Sequence, residues 1–68
     1  MTISARNNIR GKIKEIKKDQ VMAEVIIEIT KGVDIVSAIT SNSVERLGLK
    51  VGKEVGVVIK ATSVMIDA

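Results

Sequence analysis

The sequence predicts an all-β domain, folded as a small barrel with one short helix. Three observations carry this reading. Apolar and polar residues alternate through most of the chain, polar or glycine-marked reversals separate the runs, and the two-residue period breaks once, near residues 41–48.

The first run, about Ile9 to Ile16, is broken but β-like, with Arg10, Lys12 and Lys14 sharing one parity. Lys17-Lys18-Asp19-Gln20 reads as a polar turn. Val21 to Ile29 gives the clearest strand: Val21, Ala23, Val25, Ile27 and Ile29 form one apolar face, and Glu24 and Glu28 lie on the other. Lys31-Gly32 supplies a reversal. A third strand, about Val33 to Thr40, turns Val33, Ile35 and Ile39 inward. The stretch from Ser41 to Gly48 then reads as a short helix, with Asn42 as N-cap, Glu45 at capping-box spacing and Gly48 as the left-handed C-cap. Gly52 marks a turn. Two last strands follow, about Glu54 to Lys60 and Ser63 to Ile66. The order β-β-β-α-β-β suggests an OB-like barrel of about five strands, with its helix before the last hairpin.

The whole of residues 1–68 reads as a single domain, too small to bury a thick core. Domains of this size usually add disulfides, a metal or a partner subunit, and with no Cys and no His the partner is what remains. Met22, Ile26, Val36, Val58 and Met65 interrupt the polar parities, and they are expected to form a contiguous subunit interface. The missing thiol and imidazole also remove the usual nucleophile, the neutral-pH base and the common transition-metal ligands, so the chain is expected not to be an enzyme and to hold no metal directly. Formal net charge is +3, a mild bias toward anions. Aromatic residues are absent, so base stacking, worth about 1–3 kcal/mol per base, is not available for single-strand binding. No apolar run approaches the ~20 residues of a membrane span and no signal peptide is evident, so a cytoplasmic location is expected.

Three polar sets bear on function. Arg10, Lys12, Lys14, Lys17 and Lys18 form a basic stripe diluted by Glu15, Asp19 and Glu24, and it reads as a solvated face. The phrase Leu47-Gly48-Leu49-Lys50-Val51-Gly52-Lys53-Glu54-Val55 is similar to one in swapped-hairpin DNA-binding dimers. It encodes only a helix end, a glycine turn and the next strand, and it reads as scaffold. Nucleic-acid binding, by such a dimer or by a small β-barrel, is the competing class.

The third set is Ser4, Arg6 and Asn7 near the start, with Lys60, Thr62 and Ser63 near the end. A tetrahedral dianion needs positive charge, several N–H or O–H donors and no nearby carboxylate. Residues 1–14 and 55–66 contain no Asp or Glu. At about 4 Å and an effective dielectric near 20, each unit-charge contact is worth roughly 4 kcal/mol before desolvation. The sequence leaves open whether these two ends meet.

Read whole, the chain resembles the molbindins, the stand-alone molybdate-binding Mop domains related to TOBE domains. The opening Ile3-Ser4-Ala5-Arg6-Asn7 with Gly11-Lys12, the central Ala23-Glu24-Val25 and Leu47-Gly48-Leu49, and the closing Ile59-Lys60-Ala61-Thr62-Ser63-Val64-Met65 carry the resemblance. It implies an OB-like barrel assembled as a hexamer, a trimer of dimers. It also implies sites for molybdate, often tungstate, between subunits. By position, Ser4 and Arg6 would bind the anion with side chains, Ala5 and Ala61 with backbone N–H groups, and Lys60 would add charge. Thr40 is a weaker candidate. The function implied is intracellular storage, buffering or delivery of molybdenum, with no catalytic cofactor.

Overall fold

The computed structural model describes residues 6–68. Within them the chain forms β1 (Asn7–Lys18), β2 (Met22–Thr30), β3 (Val33–Thr40), α1 (Ser41–Arg46), β4 (Glu54–Ile59) and a 3-10 turn over Ala61–Ser63. The strands make one antiparallel sheet in the order β3-β2-β1-β4. The long β1 serves two partners, and at its middle Lys12 faces Glu28 on one side and Glu54 on the other. One strand shared in this way curls the sheet into an OB-like barrel, and β3 and β4 are its edges among the described residues.

β1 explains its own irregular pattern. Register with β2 shifts between Ile13 and Glu15, so Lys14 is the extra residue of a bulge and parity flips there. Gly11 and Ile13 point inward before it, and Ile16 after it. Lys14 turns its Nζ to Asp34 on β3 at 2.8 Å. Gly11 needs its missing side chain: a Cβ there would lie 2.6 Å from Ile27 Cγ2 and 3.0 Å from the Glu28 carbonyl oxygen.

β2 follows the expected alternation, with Ala23, Val25 and Ile27 buried, but Val21 is 69% exposed and belongs to the preceding turn. That turn is organised by Asp19, whose Oδ1 accepts from the backbone N–H groups of Met22 at 2.7 Å and Val21 at 2.8 Å. These two bonds hold its carboxyl below the ordinary value of 3.8. The folded value is the lower one, so the turn's contribution is present above the ordinary carboxylate range and is lost as pH falls through it. Asp19→Asn keeps an oxygen acceptor without the titration. Its melting temperature should therefore fall less steeply on acidification than that of the wild type, as a thermal-denaturation series against pH would show.

The helix is shorter than expected and capped two residues earlier. Thr40 is the N-cap, its Oγ1 accepting from Ser43 N at 3.1 Å, so Asn42 lies inside the helix and Glu45 plays no capping-box role. Val44 is buried beneath the sheet, and buried Ser41 donates its hydroxyl to the Asp19 carbonyl at 2.7 Å. Gly48 takes φ +64° where the helix ends. Lys53 Nζ donates to the carbonyls of Leu47 and Gly48 at 3.1 and 3.4 Å, and backbone bonds Gly52 N to Ile13 O and Ile13 N to Lys53 O lock this corner onto β1. The glycine-punctuated phrase is scaffold, as its residues implied.

Two expectations are corrected. The last hairpin strand, about Ser63 to Ile66, does not form: Lys60 O accepts from Ser63 N and Ala61 O from Val64 N, a 3-10 turn, and residues 64–68 pair with no strand in the described chain. Lys60-Ala61-Thr62-Ser63 has no Gly, Asn or Asp to supply the positive φ of a tight hairpin turn. The five apolar interruptions also fail to form one patch. Ile26 faces Val36 in register and Met22 lies on the same strand, but Val58 pairs with Asn8 near the opposite edge, and Met65 is in the terminal tail. The core itself is wholly aliphatic, formed by Ile13, Ala23, Val25, Ile27, Val44 and Val57.

Candidate functional site

Antiparallel pairing of β1 with β4 decides where the two polar ends of the chain go. Asn7 faces Ile59, so Arg6, one residue before, and Lys60, one residue after, leave the ladder side by side. Asn7 fastens this end with a second bond, its Nδ2 donating to the Ile59 carbonyl at 3.3 Å. The 3-10 turn then brings Ala61 and Thr62 round. Arg6, Lys60, Ala61 and Thr62 together line a depression of about 290 Å³. The ends left open by the sequence therefore meet within one chain.

The wall is built of donors. Arg offers five N–H groups in a planar fork and Lys three on a flexible stem, and neither can accept. The Thr62 hydroxyl adds another donor, and the first hydrogen bond of the turn begins at Ser63 N, so it does not use the amides of Ala61 and Thr62. The ion pairs among the described residues join Arg10 to Glu54, Lys14 to Asp34 and Lys18 to Glu45, and involve neither Arg6 nor Lys60. All four lining residues are exposed, so the wall is open to a ligand or to another chain.

Two other depressions are chemically different. One of about 400 Å³ is the open mouth of the barrel, lined mostly by aliphatic side chains such as Ile13, Val25, Ile39 and Leu49. The other, about 320 Å³, sets Arg10 and Lys12 against Glu28 and Glu54, and those carboxylates oppose an anion. Among the described residues no group of three or more carboxylates could hold a metal ion. Positive charge without a competing acid occurs at Arg6 and Lys60.

Of the residues singled out in the sequence, Arg6, Lys60 and Ala61 come together. Ser4 and Ala5 lie outside the described residues. Thr40 does not line the depression: it ends β3, at the far edge of the sheet from β4, and its hydroxyl caps the helix while donating to Ser43 Oγ at 2.7 Å. The structure adds Thr62. Its signal was its place in the polar terminal set, but the family resemblance had not carried it over.

Comparison with known proteins gives the family. The family model described as "TOBE domain" matches residues 3–66. Molybdenum-pterin-binding protein 1 of Clostridium pasteurianum is 52% identical over 68 residues, covering all of both chains. Among solved structures, a molybdate-binding protein from Sporomusa ovata superposes with a TM-score of 0.93 at 40% identity, again over all of both chains. The cytoplasmic molybdate-binding protein ModG, with molybdate bound, superposes with a TM-score of 0.83 at 41% identity; the match covers 90% of this chain and 43% of that one. The chain belongs to the TOBE domain family, as a molbindin (Mop) domain.

Proposed function

We propose that the chain binds molybdate reversibly, through its oxygen atoms, and serves cytoplasmic molybdenum storage, buffering or delivery without chemical turnover. The observation that carries this reading is the pairing of Arg6 with Lys60 on a wall free of carboxylates. Tungstate, with the same charge and shape, would fit the same donors. Ser4, Ala5 and Ala61 complete this reading of the site, and Thr62 extends it. The relatives named for molybdate binding support the choice of anion. Isothermal titration of the purified chain with molybdate, paired with molybdenum analysis after dialysis, tests it. Saturable binding is expected, and absence of both heat and retained molybdenum would exclude the reading.

The site is proposed to be completed between subunits of a homo-oligomer, a hexamer built as a trimer of dimers. Thr40 can take part only from another copy, since its own chain holds it away from Lys60. An open barrel mouth, two sheet edges unpaired among the described residues and a terminal tail with Met65 93% and Ile66 90% exposed support assembly. Met65→Lys combined with Ile66→Lys is expected to lower the assembly mass in native mass spectrometry and to weaken molybdate binding in the same preparation. Full-size assemblies from this variant would remove the tail from the interface.

A further inference from the structure

We infer that Arg10 draws the dianion toward the Arg6–Lys60 wall through long-range charge, without touching it. The inference rests on the oxyanion reading above and adds a residue that acts on the same site from a distance. It also gives a use to one member of the basic stripe on β1.

Strand pairing sets Arg10 apart from the rest of that stripe. Lys14 bonds to Asp34 and Lys18 to Glu45, while Lys17 faces Glu24 in register. Lys12 lies between Glu28 and Glu54. Arg10 instead faces Gly56, and its guanidinium lies over that bare backbone: a Cβ on Gly56 would sit 3.4 Å from Arg10 Nη1 and 3.2 Å from Asn8 Oδ1. From Gly56, β4 runs through Val58 toward Lys60, and from Arg10, β1 runs back through Asn8 toward Arg6. Arg10 is therefore four residue steps from the wall, about 13 Å along the strand. Its counter-charge is farther away, since Glu54 faces Lys12, the next outward residue beyond Arg10. The Arg10–Glu54 contact is long at 3.5 Å, with side chains 67% and 64% exposed, so it holds the guanidinium weakly. An anion at the wall therefore has the cation nearer than the carboxylate.

Distance rules out contact and sets the size of the effect. At about 13 Å in a dielectric near 80, a unit cation changes the affinity for a dianion about threefold. Screening lowers this to about twofold at an ionic strength of about 0.01 M, where the Debye length is about 30 Å. At about 0.15 M the Debye length is about 8 Å, and little of the effect survives.

Molybdate is titrated calorimetrically into the wild-type chain and its variants at these two ionic strengths. At the lower one, Arg10→Gln should bind about twofold more weakly and Arg10→Glu about fourfold, because reversing a charge doubles the free-energy change. Arg10→Lys should keep the wild-type affinity, since a field reads charge and ignores the planar fork. Lys17→Gln removes the same charge at the far end of β1 and should bind like the wild type. At the higher ionic strength all of them should converge. Wild-type affinity in Arg10→Glu at low salt would overturn the inference. A loss that persists at high salt or extends to Arg10→Lys would overturn it too, by showing direct contact, and an equal loss in Lys17→Gln would reduce it to net charge. A chain that binds molybdate yet gives any of these results keeps its proposed function and loses this inference. A wild-type chain that binds no molybdate loses both.

Discussion

Arg6→Ala and Lys60→Ala are each expected to weaken molybdate binding roughly 30- to 1000-fold, a loss of about 2–4 kcal/mol. A charge-assisted hydrogen bond to a dianion is stronger than a neutral one, and here no neighbouring carboxylate has already consumed the charge. Both side chains are exposed, so neither substitution opens a cavity, and melting temperature and assembly mass should stay near wild type. Arg6→Lys separates charge from shape. It keeps the positive end but loses the planar fork, and should fall between wild type and Arg6→Ala. Lys31→Ala, an exposed cation in the turn between β2 and β3, should bind like wild type and so controls for net charge. Calorimetry showing wild-type affinity in both alanine variants would remove the anion from this wall. Loss of binding with a collapsed assembly would show a structural role instead.

The face of each strand was legible where side-chain alternation ran unbroken. β2 is the clear case, since sheet neighbours on both sides keep its parity fixed from Met22 to Ile27. β1 was harder because the bulge at Lys14 shifts parity without any Gly or Pro to announce it. The helix start was misplaced because Thr40, Asn42 and Ser43 all suit an N-cap, and only the end of β3 decides among them. The fifth strand failed for a reason that the residues do contain: Ala61-Thr62 has no means of making a tight hairpin turn.

The candidate site was legible as chemistry but not as geometry. Arg6 and Lys60 are distant in the chain, and alternation reports faces without saying which strands are neighbours or in what register. Pairing of Asn7 with Ile59 supplies that missing fact. Charge, donors and the lack of acids pointed to an anion. The family resemblance supplied molybdate.

The same strand that ends at the site also carries the centre of the core, which makes Ile13→Ala the severest core substitution to expect. Ile13 is 1% exposed and faces Ile27 across the sheet. Its backbone also anchors the corner before β4, donating to Lys53 O at 2.9 Å and accepting from Gly52 N at 2.8 Å. Truncating a buried Ile to Ala typically costs about 2–5 kcal/mol. At roughly 0.05–0.15 kcal/mol per residue, the whole domain would have only about 3–10 kcal/mol to lose. No aromatic side chain is available to fill the void. With a shift of about 4–8 °C per kcal/mol in a domain of this size, the melting temperature should drop by at least about 8 °C. Ile13→Val removes one methyl group and should cost only about 0.5–1.5 kcal/mol. Assembly would make stability depend on protein concentration, so the three proteins must be melted at one concentration. The seven residue steps from Arg6 to Ile13 span about 23 Å along a strand, so Ile13→Val should bind molybdate as the wild type does. An Ile13→Ala chain that melts with the wild type would mean that the barrel closes around other residues. In that case the register that brings Arg6 to Lys60 would have to be held by something other than this core.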